Sequence, residues 1–140
     1  MGYDLYNNNN KYFRFNFYWW KYVLTIAINY GWKPKGTIND EDNWEGMDYV
    51  TNSAQIVEED DAKNLAKALR SSMIDIPSTR IAYKSITINS CDDFYEKIKT
   101  YKKQFKDDLG EAFAGFSGTE AKNYLHEFIE FCEEGGFSIY

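Results

Sequence analysis

The chain has 140 residues with 22 acidic and 16 basic side chains, which gives a formal net charge of −6. This length suits one domain over residues 1–140, and 44% apolar residues can form a hydrophobic core without disulfides or metal ions. The acidic balance argues against nucleic-acid phosphate or an anionic membrane as the main partner. The two cysteines, Cys91 and Cys132, are too few for a disulfide framework.

The sequence predicts no secretory signal and no membrane-spanning segment. The first ten residues lack a basic region, and the apolar run over residues 22–28 is too short to cross a bilayer. Gly2 would suit N-myristoylation, but Tyr6 stands where that motif needs Ser or Thr. We therefore expect a soluble, cytoplasmic protein.

The N-terminal residues predict a hairpin tip and a half-buried strand. The asparagine run over residues 7–10 favours turn conformations. Residues 11–17 then alternate with a period of two, which is typical of a strand with one buried side. The predicted inner residues are Phe13, Phe15 and Phe17, and the predicted outer residues are Tyr12, Arg14 and Asn16.

A buried helix is predicted directly after this strand. Its apolar stripe is broad enough to indicate burial over much of the helix circumference. Asn16 can cap its start, Gly31 suits the left-handed position after its end, and Pro34 prevents its continuation. The stripe comprises Trp20, Val23, Leu24, Ala27 and Ile28, widened by Trp19, Ile26 and Tyr30.

The middle of the chain predicts an acidic loop, a β-prone stretch and a second helix. The loop covers residues 35–48 around a lone aromatic, Trp44, and residues 49–57 follow it as the β-prone stretch. The second helix is predicted over residues 59–73, and its acidic start suits the positive end of the helix dipole.

The second half predicts a strand over residues 81–89, a third helix beginning at Ser90, and a linker over residues 110–118. A capping box of Ser117 and Glu120 opens the fourth predicted helix, and residues 137–140 form a short closing strand. The resulting fold class is α+β, with about four helices packed on a small antiparallel sheet. We expect the N- and C-terminal strands to pair, with residues 12–17 beside residues 137–140.

Short motifs at both ends and in the middle of the chain resemble a group of small bacterial proteins that carry no assigned activity. They are GYDLY at 2–6, GW-x-P-x-GT at 31–37, WEG at 44–46, DA-x-x-LA-x-AL at 61–69 and FI-x-FC-x-x-GGF at 128–137. The resemblance implies one compact bacterial domain. Because the group has no assigned activity, the resemblance assigns no catalytic residues to this chain. It also implies a Ser or Thr cap before the second helix, where this chain has Glu58.

The sequence predicts no metal site, no cofactor and no catalytic residue. Counted from Asp40, the acidic loop has Glu45 at the sixth position, where an EF-hand needs Gly. The single histidine, His126, lies on the polar side of its helix without a His or Cys at ligand spacing. Cys91 is followed by two aspartates, which oppose a reactive thiolate. The lysine run on the third helix, interspersed with acidic residues, is interpreted as a solvated face.

Three functions remain open at this point. The first is a non-enzymatic, acidic protein-binding domain of the immunity or regulatory type, for which a basic partner is favoured by charge. The second is a small-molecule binder or modest enzyme, and the third is a structural or oligomer-forming protein. The predicted ligand or partner surface, where aromatic walls meet a few polar groups, consists of Trp44, Tyr49, Asn52 and Gln55.

Overall fold

A computed structural model describes residues 2–37, 48–52, 54–81 and 109–140. The described strands are β1 (Gly2–Asn7), β2 (Tyr12–Asn16), β3 (Gln55–Val57) and β4 (Phe137–Ile139). The described helices are α1 (Phe17–Asn29), α2 (Glu59–Ser72), α3 (Leu109–Gly115) and α4 (Thr119–Glu133), with short 3-10 turns at Lys35–Thr37 and Asp48–Val50. The predicted α+β class is confirmed.

The four strands form one antiparallel sheet in the order β2-β1-β4-β3. The predicted pairing of the N- and C-terminal strands is confirmed, with Leu5 opposite Ile139. The predicted partner strand was wrong, because β1 and not β2 lies beside β4. The reason is that β1 and β2 form a hairpin through the asparagine tip, which leaves β2 at the edge of the sheet.

Helix α1 is buried as the sequence predicts. The Asn16 side chain accepts a hydrogen bond from the Trp19 backbone N–H at 2.8 Å, and every residue over 20–27 is buried. Gly31 has φ +96°, and the Trp32 N–H returns to the Ala27 carbonyl at 2.9 Å. Helix α1 packs on α2 and α3, and its apolar side chains join the inner side of the sheet in one core.

Helices α2 and α4 pack against each other and complete the core. Glu58 is the cap residue of α2, but its side chain makes no capping hydrogen bond. Three acidic residues occupy the first turn, as the sequence predicts. The capping box predicted for α4 was wrong, since Gly118 stands at the cap position. Ser117 instead donates to the Ala114 carbonyl at 2.6 Å and accepts from the Ile81 N–H at 2.8 Å, so it closes the preceding helix.

Two further expectations differ from the structure. Residues 110–118, predicted as a linker, contain most of helix α3, in which Ala112 and Ala114 are buried. The β-prone stretch over residues 49–57 contributes a strand only at Gln55–Val57, after a 3-10 turn. The strand predicted after Ile81, the helix predicted from Ser90 and the acidic loop around Trp44 lie outside the described residues.

Candidate functional site

The sheet has one side in the core and one side toward solvent. Because side chains alternate along a strand, Tyr3, Leu5 and Phe15 enter the core and their neighbours point outward. Large side chains on the outer side are well exposed: Tyr6 46%, Tyr12 51%, Ile56 69% and Tyr140 51%. We call this outer side the tyrosine face, formed by Asp4, Tyr6, Tyr12, Arg14, Ile56, Ser138 and Tyr140.

Three tyrosine rings form the centre of the tyrosine face. Tyr6 lies opposite Tyr12 on β2 and opposite Ser138 on β4. Its ring centroid is 5.2 Å from that of Tyr12 and 5.6 Å from that of Tyr140. Aromatic pairs at these separations stabilise each other by about 0.5–1.5 kcal/mol. The rings are therefore held in a defined arrangement although they are open to solvent.

Asp4 fixes the polar groups beside these rings. The Tyr12 hydroxyl donates to the Asp4 carboxylate at 2.5 Å, and an Arg14 guanidinium nitrogen lies 3.7 Å from the same oxygen. The hydrogen bond to Asp4 raises the pKa of Tyr12 above its ordinary value. Tyr12 thus keeps its proton, and its bond to Asp4, to higher pH than an ordinary tyrosine would, and Arg14 has a counter-ion within its own face.

A cleft of about 500 Å³ lies next to the tyrosine rings. Within the described ranges its walls contain one carboxylate, two tyrosine rings and several amide or hydroxyl groups, and no lysine or arginine. Carboxylates and ring faces both attract cations. The described walls are Asp4, Tyr6, Asn7, Asn8, Ser138 and Tyr140.

The hairpin tip borders this cleft and is tied to the end of α4. The Asn7 side-chain oxygen accepts from the backbone N–H of Asn9 and Lys11 at 3.0 Å each, while its amide donates to Glu134 at 2.8 Å. Lys11 forms an ion pair with Glu134. Lys11, with Asn7, holds the pKa of Glu134 below its usual range. The basic charge at the tip is thus already neutralised within the chain.

The residues predicted as a site have different environments. Tyr49 is buried, and its hydroxyl donates to the buried carboxylate of Asp61 at 2.6 Å. Burial is the largest cause of the raised pKa of Tyr49, and the hydrogen bond to Asp61 is the second. Asn52 is exposed, and half-buried Gln55 donates to the Thr51 carbonyl at 2.8 Å. Trp44 lies outside the described residues.

No cleft described here joins these predicted residues. The walls of the five main clefts, as far as the described ranges show them, do not include Tyr49, Asn52 or Gln55. Besides the Tyr49 hydroxyl, Asp61 accepts hydrogen bonds from the indole N–H of Trp32 at 3.0 Å and from the Lys35 backbone N–H at 3.2 Å. The Tyr49 hydroxyl is thus bonded inside the core, and the surface predicted from Trp44, Tyr49, Asn52 and Gln55 stays a prediction.

Other reactive residue types do not cluster in the part of the chain that the structure covers. There, no three His, Cys, Asp or Glu side chains are placed to hold a metal ion. His126 is exposed and its Nε2 lies 3.2 Å from Glu130. Cys132 is fully buried, and burial raises the pKa of its thiol well above the ordinary value. Cys91 and the lysine run fall outside the described residues.

The sequence revealed part of the tyrosine face. The alternation of residues 11–17 correctly places Tyr12 and Arg14 on the solvent side. Tyr6 and Tyr140 were missed as members of the same surface. The alternation of β1 could have revealed Tyr6. Tyr3 and Leu5 are buried, so Tyr6 belongs to the opposite, solvent-facing side of the strand. Their convergence depends on β1 lying beside β4, which no local pattern specifies.

Comparisons with family models, curated proteins and solved structures gave no match to this chain. The resemblance to small bacterial proteins therefore stays a prediction. Within the described ranges, no helix is both long and apolar enough to cross a membrane.

Proposed function

We propose that this chain is a non-enzymatic protein-binding domain whose tyrosine face receives a basic partner. The exposed triad of Tyr6, Tyr12 and Tyr140 is the observation that carries the proposal. Tyrosine combines a large apolar ring with a polar hydroxyl, and it is enriched at the energetic centres of protein interfaces. A triad that is already ordered loses little conformational entropy when a partner covers it.

Charge supports a basic partner. The chain carries a net charge of −6, and the cleft beside the rings contains Asp4 and no described basic residue. The two basic side chains near the face, Lys11 and Arg14, pair with Glu134 and Asp4. A lysine or arginine of a partner can therefore enter the cleft, close to the rings of Tyr6 and Tyr140, without meeting an unpaired like charge.

Affinity purification from the source organism, followed by mass spectrometry and binding of the purified partner, tests this proposal. Tyr6→Ala is expected to weaken that binding by roughly tenfold or more, as truncation of an interface centre does. Tyr18→Ala is the matched control, because Tyr18 is also an exposed tyrosine, at 41%, but belongs to helix α1. Binding should weaken as salt is raised.

The proposal fails if no partner is recovered at physiological salt, or if Tyr6→Ala and Tyr18→Ala bind the partner equally. Sedimentation of the pure protein separates it from an oligomer-forming role. If Tyr6→Ala dissociates a homo-oligomer and no other partner exists, the tyrosine face serves self-association instead.

A further inference from the structure

A second cleft, of about 520 Å³, lies where the start of α1, helix α3 and the segment after α2 meet. None of its described lining residues belongs to the tyrosine face. A neighbouring cleft of about 480 Å³ shares Trp19, Arg80, Ser117 and Ala121 with it. The residues that matter for its chemistry are Trp19, Tyr22, Arg80 and Glu111.

Glu111 supplies a buried carboxyl group with one oxygen unused. The residue is 6% exposed, and the Tyr22 hydroxyl donates to its Oε1 at 2.9 Å. Its Oε2 is buried and has no hydrogen-bond partner in the described structure. Buried carboxyl oxygens are almost always hydrogen-bonded. Because Glu111 is a lining residue of the cleft, its unpartnered oxygen suits a donor supplied by a ligand there.

Arg80 supplies the opposite charge in the same cleft. Its side chain is exposed and forms no ion pair with the described residues. The backbone on both sides is anchored, because the Pro77 carbonyl accepts from the Gly118 N–H at 2.9 Å and Ile81 donates to Ser117 at 2.8 Å. The guanidinium is thus attached at a fixed point of the wall and is available for a carboxylate.

Aromatic rings form the remaining wall. Tyr22 is buried and lies against Gly115, where an added Cβ would come within 2.5 Å of the tyrosine ring. Trp19 is half-buried and packs on Phe116, with ring centroids 4.9 Å apart and the ring planes tilted by 45°. A small ligand in this cleft would therefore meet an apolar surface as well as the acidic and the basic group.

We propose that this cleft binds a small zwitterion of the α-amino-acid type. The protonated amine donates to Oε2 of Glu111, the carboxylate pairs with Arg80, and the apolar part lies against Trp19. A simple amine would leave Arg80 without a counter-ion, and a simple carboxylate would leave Oε2 of Glu111 without a donor. The zwitterion satisfies both groups at once.

Calorimetric titration of the full chain with the common L-amino acids tests this inference. For the tightest amino acid, two analogues are titrated: the amine without the carboxylate and the acid without the amine. Each analogue is expected to bind roughly tenfold or more weakly, because each loses one charge-assisted hydrogen-bonded pair. Arg80→Gln should bind the amino acid only as tightly as the unsubstituted chain binds the amine analogue. Its affinity for the amine analogue itself should be unchanged.

Glu111→Gln should give the reverse selectivity, with the acid analogue unaffected. Tyr6→Ala is the control for the tyrosine face and should bind the amino acid as the unsubstituted chain does, so the two proposals fail independently. The inference is overturned if no amino acid binds. That result would occur if Arg80 paired with Glu111 in solution and closed the site. The inference is also overturned if either analogue binds as tightly as the amino acid, or if Arg80→Gln, checked for folding by circular dichroism, binds undiminished.

Discussion

The hydroxyl of Tyr49 donates to the carboxylate of Asp61 at 2.6 Å, and both side chains are buried. The bond joins the 3-10 turn Asp48–Val50 to the first turn of α2. The Trp32 ring stacks near Tyr49 with centroids 6.1 Å apart, and its indole N–H donates to the same carboxylate at 3.0 Å. One buried carboxylate thus ties three segments together, since each would otherwise leave a donor inside the protein.

Tyr49→Phe should lower the free energy of unfolding by about 1–3 kcal/mol, because it removes one donor from a buried carboxylate. Urea unfolding followed by fluorescence measures this change. Tyr6→Phe is the matched control, since the Tyr6 ring is 46% exposed, and its effect should stay within about 0.5 kcal/mol. Equal losses in the two variants would show that the bond to Asp61 contributes nothing particular to stability.

Stability should fall as the pH rises above the ordinary tyrosine pKa of 10.0. Burial and Asp61 raise the pKa of Tyr49, and burial with Asp75 raises the pKa of Tyr30 to about 12. In this pH range the unfolded state releases these protons while the folded state retains them. The folded state binds more protons, so the free energy of unfolding decreases, by up to ~1.4 kcal/mol per pH unit for the buried Tyr49. The contribution of Tyr30 should be smaller, because solvent screens its exposed hydrogen bond to Asp75.

Unfolding titrations from about pH 9 to about pH 11 measure this slope. Tyr49→Phe removes one of the retained protons and should make the decline with pH shallower. A decline of equal steepness in the two proteins would show that Tyr49 titrates in the folded state near its ordinary pKa.

The sequence predicts the fold well where local patterns and packing agree. Asn16, the broad apolar stripe and Gly31 define α1 from cap to termination, and all three act as predicted. The short helix α3 was missed because its glycines disfavour helix by propensity. Gly115 is needed there because a Cβ at this position would lie 2.5 Å from the Tyr22 ring. This tertiary contact overrides helix propensity.

The candidate sites are harder to predict because their residues converge from distant parts of the chain. Tyr6 meets Tyr140 only after β1 pairs with β4, and Tyr22 meets Glu111 only after α1 packs on α3. Tyr49 illustrates the opposite difficulty. A tyrosine beside polar residues is typical of a binding surface, yet here it lies in the core because Asp61 satisfies its hydroxyl.

Leu24→Ala should lower the free energy of unfolding by ~2–5 kcal/mol, because Leu24 is fully buried in α1 and its truncation leaves a cavity. Chemical denaturation measures this. Ile28→Ala, at a half-buried position one turn later on the same helix, should have a smaller effect. A loss well under ~1 kcal/mol for Leu24→Ala would show that α1 is peripheral to the core.

Cys132 should resist thiol reagents as long as the chain is folded. It is fully buried in α4, and burial raises the pKa of its thiol, so both access and the reactive thiolate are lacking. In Cys91→Ser, Cys132 is the sole thiol of the chain. Absorbance with a disulfide reagent should show no labelling in buffer and full labelling in denaturant. Labelling of the folded variant at the denatured rate would place Cys132 at the surface and would contradict the packing of α4 on α2. Any labelling of the folded unsubstituted chain then belongs to Cys91.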